Sequence, residues 1–151
     1  MSLQDEIKAL KQRIAELEEQ VEQEKEFPQD GHWYWYITSD AGIGMSSWEE
    51  FEYQKEQLSI GNIFRTREEA EFALEKIKVE AKLRKYSRPF KEGENNYYVE
   101  LYLSDKALSI DLDEYFQSQG TFYFDSEKIA LEAIDAAGDW HIKKYIFGVE
   151  D

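Results

Sequence analysis

The amino-acid sequence predicts an α+β protein that begins with a coiled-coil helix, and three observations lead to this fold class. The first residues repeat apolar side chains with a heptad period, which is typical of a coiled coil. From residue 32 onward, aromatic-rich stretches alternate with Gly, Asp and Ser turns, which indicates strands. The hairpin spacings are too short for parallel crossovers, so we expect an antiparallel sheet packed against two helices.

The first helix, within residues 1–27, is predicted to form a parallel dimeric coiled coil. Leucine fills one core position of each heptad and a β-branched residue fills the other, a combination that favours two parallel strands. In that register Glu6 meets Lys11, and Arg13 meets Glu18, of the second chain. The alternative is packing against the chain's own domain, which typically needs a broader apolar stripe. The residues predicted to form the dimer seam are Leu3, Ile7, Leu10, Ile14, Leu17 and Val21.

Residues 28–151 are predicted to form one α+β domain made of two tandem β-β-β-α repeats, at about 32–88 and 96–149. In each repeat we expect a hairpin, a short third strand and then a helix. The same order of elements in both halves favours an internal duplication. The predicted strands are 32–38, 43–47, 61–64, 97–103, 108–112 and 121–124, with 142–147 as a final strand.

Both predicted helices of the domain begin with a capping residue. Thr66 is followed by Glu69 at the spacing of a capping box, and Ser126 takes the same place in the second repeat. Superposing Phe64 on Phe124 aligns these caps and the inward faces that follow, although unrelated amphipathic helices share part of this pattern. The predicted core consists of Trp35, Ile37, Ile63, Phe64, Ala70, Ala73, Leu74, Ile77, Ala81, Val99, Leu101, Phe122, Phe124, Ala130, Ala133, Ile134 and Ile146.

Four consecutive aromatic residues in the first strand predict an exposed aromatic patch. Successive side chains of a strand point to opposite faces, so these four rings cannot all face one core. Unless the coiled coil or a second chain covers the other face, its rings are of the kind that anchors interfaces. The candidates for partner contact are Trp33, Tyr34 and Tyr36.

The sequence offers little of what a catalytic or cofactor site needs. It contains no cysteine, and neither His32 nor His141 has a histidine four residues away, as a helical zinc site would. No glycine-rich nucleotide-binding loop is present. We therefore expect a non-enzymatic protein with no cofactor and no metal. With no long apolar run and no signal-peptide pattern, we also expect a cytoplasmic protein without membrane contact.

The charge distribution gives the strongest indication of function. The formal net charge is -15, and residues 92–151 contain fourteen acidic residues against four basic ones. Such a field repels nucleic-acid phosphates and attracts basic surfaces, so the expected partner is a basic protein. The candidate contact carboxylates are Asp111, Asp113 and Glu114, which lack the spacing of a calcium loop. Two alternatives stay open, namely that the acid only maintains solubility and that the basic segment 65–91 binds nucleic acid directly.

Residues 35–37, 60–73 and 77–79, and more weakly 142–149, resemble small acidic accessory proteins of phages and prophages of Gram-positive bacteria. The resemblance transfers no specific activity. It implies a mobile-element protein in the host cytoplasm, a setting in which small acidic proteins often inhibit host defence. The expected function is therefore an acidic inhibitor of a basic host protein that acts in defence or handles nucleic acid. The alternative is a structural or assembly component of the mobile element, with the coiled coil as its connector.

Overall fold

The computed structural model describes residues 2–24 and 26–150. Within these residues the chain combines five α-helices, one π-helical turn and two hairpins, so the predicted α+β class is confirmed. The hairpins form two separate two-stranded sheets instead of the one sheet that the sequence predicted. In chain order the elements are α1 (Leu3–Glu24), β1 (Trp33–Ile37), β2 (Ile43–Ser47), α2 (Glu52–Ser59), α3 (Arg67–Tyr86), β3 (Asn96–Leu101), β4 (Leu108–Asp113), α4 (Glu127–Ala137), α5 (Asp139–His141) and the π-helical turn Ile142–Ile146.

The chain divides into two compact units. The first contains the described residues up to Tyr36 together with Gly44–Thr66, and the second contains Ile37–Ile43 with the chain from Arg67 onward. This division falls inside the first predicted repeat, so the two units are not the two repeats. The internal duplication therefore stays a prediction.

Local sequence explains where two of the helices begin. The Asp5 backbone N–H donates to the Ser2 hydroxyl at 3.2 Å, and that hydroxyl donates to the Asp5 carboxylate at 2.7 Å, which caps α1. The Ser126 hydroxyl accepts from the Ile129 N–H at 3.1 Å, so the predicted cap of α4 is confirmed. At the other end of α4, Gly138 has a φ of 93°, a value that favours glycine.

The predicted short third strands are reduced to isolated bridges. Phe64 pairs with Trp35 in the first unit, and Phe124 pairs with Tyr97 in the second. In both cases a helix begins only three residues after the bridge, so the chain leaves the strand direction before a ladder can form.

The predicted final strand over 142–147 is wrong, because Ile142–Ile146 forms a π-helical turn that continues α5. Ile142 is buried, and Tyr145 and Ile146 pack against the same core. These spacings of three and four residues are those of one helical face, which outweighs the β-branched composition that suggested a strand.

The core of the first unit is centred on Tyr34, which is fully buried and has its ring 6.0 Å from that of Trp48. The Tyr34 hydroxyl donates to Gln57 Oε1 at 3.1 Å and accepts from Gln54 Nε2 at 3.0 Å. These bonds satisfy the polar end of the ring and allow the whole side chain to be buried. Trp35, which was predicted to be core, is only half-buried.

The core of the second unit lies between α3, α4, the π-helical turn and the β3–β4 hairpin. α3 packs against α4 and the π-helical turn, and α4 packs on β3. Of the predicted core residues, Ile77 and Ala81 are exposed instead, because the buried stripe of α3 continues through Val79 and Leu83. The buried residues of this core are Val79, Leu83, Phe124, Ala130, Ala133, Ala137 and Ile142.

Candidate binding surfaces

The predicted dimer seam of α1 is uncovered in the single chain. Every side chain described on α1, through Glu22, is exposed. Of the six seam residues, Leu17 is the least exposed at 43% and Leu3 the most at 77%. Within the described residues, therefore, the first unit, which contains α1, does not bury this stripe.

The charged side chains of α1 flank the seam without covering it. Arg13 lies 3.4 Å from Glu16 within the same helix, and both side chains are at least half exposed. An exposed pair of this kind contributes at most about 1 kcal/mol. Arg13 can therefore separate from Glu16 at little cost.

The β3–β4 hairpin separates its polar and apolar side chains onto two faces. The strands are antiparallel, and Tyr98 lies opposite Asp111, Glu100 opposite Ser109, and Asn96 opposite Asp113. Directly paired residues share one face, so these six form the polar face. On the other face Tyr97, Val99, Leu108 and Ile110 pack against the core.

We call Glu100, Asp111 and Asp113 the acidic hairpin face. Glu114, the third carboxylate in the sequence prediction, follows the end of β4 and is exposed, but it lies outside the paired register. Across residues 2–24 and 26–150, none of these four carboxylates forms an ion pair. The face therefore presents negative charge that the described chain does not neutralise.

Tyr98 lies between the carboxylates of the acidic hairpin face, and its pKa responds to their negative charge. Its pKa is raised above the ordinary tyrosine value, first by burial and then by the negative charges of Asp113, Glu100 and Asp111. The phenolate would add another negative charge beside the carboxylates, so the proton is held more tightly.

A buried amide fixes the backbone beside this face. Asn96 is fully buried, and the two hydrogens of its Nδ2 are shared among the carbonyl oxygens of Lys91, Glu94 and Asp113, which lie at 2.8–2.9 Å. Its Oδ1 accepts from Lys91 N at 2.9 Å and from Arg88 Nη1 at 2.7 Å. A fully hydrogen-bonded network of this kind rigidifies its surroundings, so the end of the strand that carries Asp113 is held in place.

Two exposed aromatic residues adjoin the acidic hairpin face and were missed by the sequence analysis. Tyr115 and Phe116 follow Glu114 directly and are 74% and 73% exposed. At the opposite end of the hairpin, Tyr102 and Leu103 are also exposed. Large exposed rings beside unpaired charges are typical of protein interfaces. The signal in the sequence was the dipeptide Tyr115-Phe116 immediately after an acidic strand end.

The aromatic patch predicted on β1 is only partly present. Trp33 is 62% exposed and available to a partner, whereas Tyr34 is buried, so its assignment to a contact surface is wrong. Tyr36 is half-buried, and its ring lies within 3 Å of where a Cβ on Gly44 would be. Gly44 is therefore needed for the packing of Tyr36, which makes this ring part of the hairpin rather than a free anchor.

The basic segment is partly engaged within the chain. Arg88 donates to Asn96, to the carbonyl oxygens of Pro89 and Asn95, and to Asp125, so this guanidinium is structural. On α3, Lys78 lies 3.2 Å from Glu75. These contacts weaken the alternative that the basic segment is a nucleic-acid surface.

The histidines have local structural contacts. His32 accepts from the Gln29 N–H at 3.1 Å and stacks on Phe27, and His141 stacks on Tyr145. The second unit also holds a largely apolar cavity of about 170 Å³ between Leu83, Val99 and Phe122. Its lining carries no titratable group, so it is not arranged for acid–base chemistry.

Across the described ranges, no helix has the length and apolarity needed to cross a membrane. In the same part of the chain, no three His, Asp or Glu side chains are grouped so that they could hold a metal ion. Comparison with protein-family models, curated proteins and solved structures finds no match. The surfaces must therefore be interpreted from their own chemistry.

Proposed function

We propose that the protein is a non-enzymatic binding protein whose acidic hairpin face docks onto a basic protein. The observation that carries this proposal is the placement of Glu100, Asp111 and Asp113 on one polar strand face, without an ion pair in the described chain. Asp111 is exposed, and Glu100 and Asp113 are partly buried. Carboxylates arranged in this way steer a cationic surface toward the hairpin and fix its orientation.

The exposed rings beside the acidic hairpin face can supply binding energy that exposed ion pairs alone do not. Exposed ion pairs contribute about 0.2–1 kcal/mol each, whereas buried aromatic anchors dominate many protein interfaces. Tyr115 and Phe116 are placed to act as such anchors, because they directly follow β4 and are largely exposed. Rings can also accept arginine or lysine through cation–π contact. The unpaired carboxylates repel phosphates, so together with these rings they favour a protein partner over nucleic acid.

We further propose that α1 joins two copies of the chain into a parallel dimer. The exposed seam supports this, because a second identical helix would bury all six apolar residues. A dimer presents two acidic hairpin faces, and two linked sites bind a repeated or dimeric partner more tightly than one.

The biological role that fits this chemistry is inhibition of a host protein that handles nucleic acid. The resemblance to phage and prophage accessory proteins and the net charge of -15 support this role. In such an inhibitor, carboxylates occupy the basic sites that normally receive phosphates. Assembly of a mobile-element particle, with α1 as connector, is the competing role.

The proposal is tested by affinity capture from a bacterial lysate at low and high salt with three forms of the full chain. The first is unmodified, and the second carries Glu100→Gln, Asp111→Asn and Asp113→Asn. The third is a matched control with Glu127→Gln, Glu132→Gln and Asp135→Asn on α4, where all three carboxylates are exposed. Both variants remove three negative charges, so net charge is equal in the two.

We expect the unmodified chain and the α4 control to retain a basic protein at low salt and to release it at high salt. The variant of the acidic hairpin face should retain much less of that protein. Equal capture by all three forms, or recovery of nucleic acid, would contradict the proposal. Recovery of capsid or tail proteins would support the assembly role instead.

A further inference from the structure

We infer that the outer edge of β4 accepts an extended segment of the partner as an added antiparallel strand, in which basic and apolar residues alternate. This inference rests on the proposed function and specifies how the partner is bound. It is carried by the backbone of β4, which ends the two-stranded sheet without a further strand beside it.

The hydrogen bonds of β3 show which backbone groups of β4 point outward. Tyr97 exchanges both of its backbone bonds with Phe124, so its N–H and C=O point away from β4. Tyr102 instead donates to Ala107 at 3.0 Å, on the β4 side. Backbone direction alternates along a strand, so the β3 residues that bond to β4 are the even-numbered ones.

The register then fixes the direction of each β4 residue. Ser109 and Asp111 lie opposite even-numbered residues of β3 and point toward them, so Leu108, Ile110 and Leu112 present their backbone groups to the outside. Asp111 Oδ1 accepts from the Leu112 N–H at 2.8 Å and occupies that donor. In the described chain, no backbone bond from another segment reaches the N–H or C=O of Leu108 or Ile110. These groups are free to pair with an incoming strand.

The two faces of β4 determine which segment fits this edge. An added strand would place alternate side chains beside Asp111 and Asp113, where lysine or arginine meets a carboxylate at pairing distance. The remaining side chains would lie beside Leu108 and Ile110, which pack against the core, and beside the partly exposed Leu112. A segment that alternates cationic and apolar residues therefore satisfies both faces together.

The same charges make a second copy of β4 a poor occupant. Antiparallel pairing of two β4 strands centred on Asp111 would place this carboxylate opposite its own copy, and pairing centred on Leu112 would place Asp111 opposite Asp113. Like charges in paired positions are destabilising. Charged residues on an edge strand are a common protection against such self-association. Charge complementarity thus favours a basic segment over self-pairing.

The inference is tested by titrating the full chain with a synthetic peptide of alternating lysine and valine in two N-methylated forms. One form is methylated at the valine amides and the other at the lysine amides, so both keep the same charge and composition. In an antiparallel added strand, the residues that bond to β4 share its apolar face, so the valine amides face the edge. Methylation there removes the donors and adds bulk at the edge.

We expect valine methylation to weaken binding about tenfold or more, because several hydrogen bonds of about 0.5–1.5 kcal/mol each are lost. Lysine methylation should change affinity about twofold or less, since those amides point away from the edge. Equal affinities for the two forms would overturn the inference.

A second arm separates failure of this inference from failure of the proposed function. The unmethylated peptide is titrated against the acidic-hairpin-face variant and against the α4 control variant. If binding depends on Glu100, Asp111 and Asp113 but is the same for both methylated peptides, strand addition at the edge of β4 is contradicted and the proposed function is not. If binding is also unchanged in the variant that lacks these carboxylates, both the inference and the proposed function are contradicted.

Discussion

The helices α1 and α4 are both amphipathic and begin with a serine cap, yet only α4 has its apolar face buried in the described chain. Ala130 and Ala133 of α4 are fully buried, whereas the leucine and isoleucine residues of the α1 seam are exposed. Alanine allows the neighbouring helix and strand to approach closely, while large side chains at heptad spacing need the matching holes of another coiled-coil helix. The buried alanine residues show that α4 contributes to the core of the second unit, and the exposed seam is the basis of our proposal that α1 serves association.

The largest expected effect concerns the buried core against which α4 packs. Phe124 is 1% exposed in the core of the second unit, so Phe124→Ala should lower the free energy of unfolding by about 3–5 kcal/mol. Urea denaturation followed by circular dichroism measures this change. Phe116→Ala is the matched control, since Phe116 is exposed and its loss should cost less than about 0.5 kcal/mol. Similar losses for both variants would mean that the core is misassigned.

The next effect concerns the polar network beside the acidic hairpin face. Asn96→Ala removes the buried amide that bonds the backbone of Lys91, Glu94 and Asp113 and the side chain of Arg88, and we expect a loss of about 3 kcal/mol in the free energy of unfolding. Asn95→Ala is the control, because Asn95 is exposed. Amide hydrogen exchange should also show faster exchange at Lys91, whose N–H donates to Asn96. Unchanged exchange there would remove the network from the account.

On the uncovered side, a charge placed in the seam should prevent association without unfolding the second unit. Ile14→Lys replaces a seam residue in both copies, and each loses about 1.5–3 kcal/mol of apolar burial. Glu19→Lys is the control, because position 19 lies on the far side of the heptad. Light scattering should give a smaller mass for Ile14→Lys only. A loss of urea resistance in the second unit would instead show that α1 supports folding.

The smallest effect concerns the field at Tyr98. Its raised pKa means that the folded state holds this proton more tightly, so the stability it contributes is full below the ordinary tyrosine pKa. That contribution is lost as the pH rises through the pKa of the folded state. Asp113→Asn should lower the pKa of Tyr98 toward its ordinary value, measured by the ring carbon shift. Asp135→Asn should leave it unchanged, and an equal response to both would show that only net charge matters.

Local patterns predicted much of the fold because they depend on neighbours in the chain. The heptad pattern predicted α1, the turn residues predicted both hairpins, and Ser126 predicted the start of α4. Strand alternation also showed that Tyr34 and Trp35 lie on opposite faces. It could not show which face is buried, because that depends on Gln54 and Gln57, about twenty residues away, which satisfy the Tyr34 hydroxyl.

The candidate binding surface was predicted only in part for the same reason. Asp111 and Asp113 were identified by composition, but Glu100 joins them only through the register of the hairpin. Asn96 gave no sequence signal, because its hydrogen-bond partners are backbone and side-chain groups placed by the fold. Tyr115 and Phe116 follow no period, so their exposure required the structure.

The most direct test of the account is the mass in solution of the unmodified full chain over a range of dilutions, measured by light scattering. Because the α1 seam is uncovered, the account predicts twice the chain mass of 17.9 kDa, falling toward a single chain only on strong dilution. A mass of one chain at every concentration, including high micromolar protein, would contradict it.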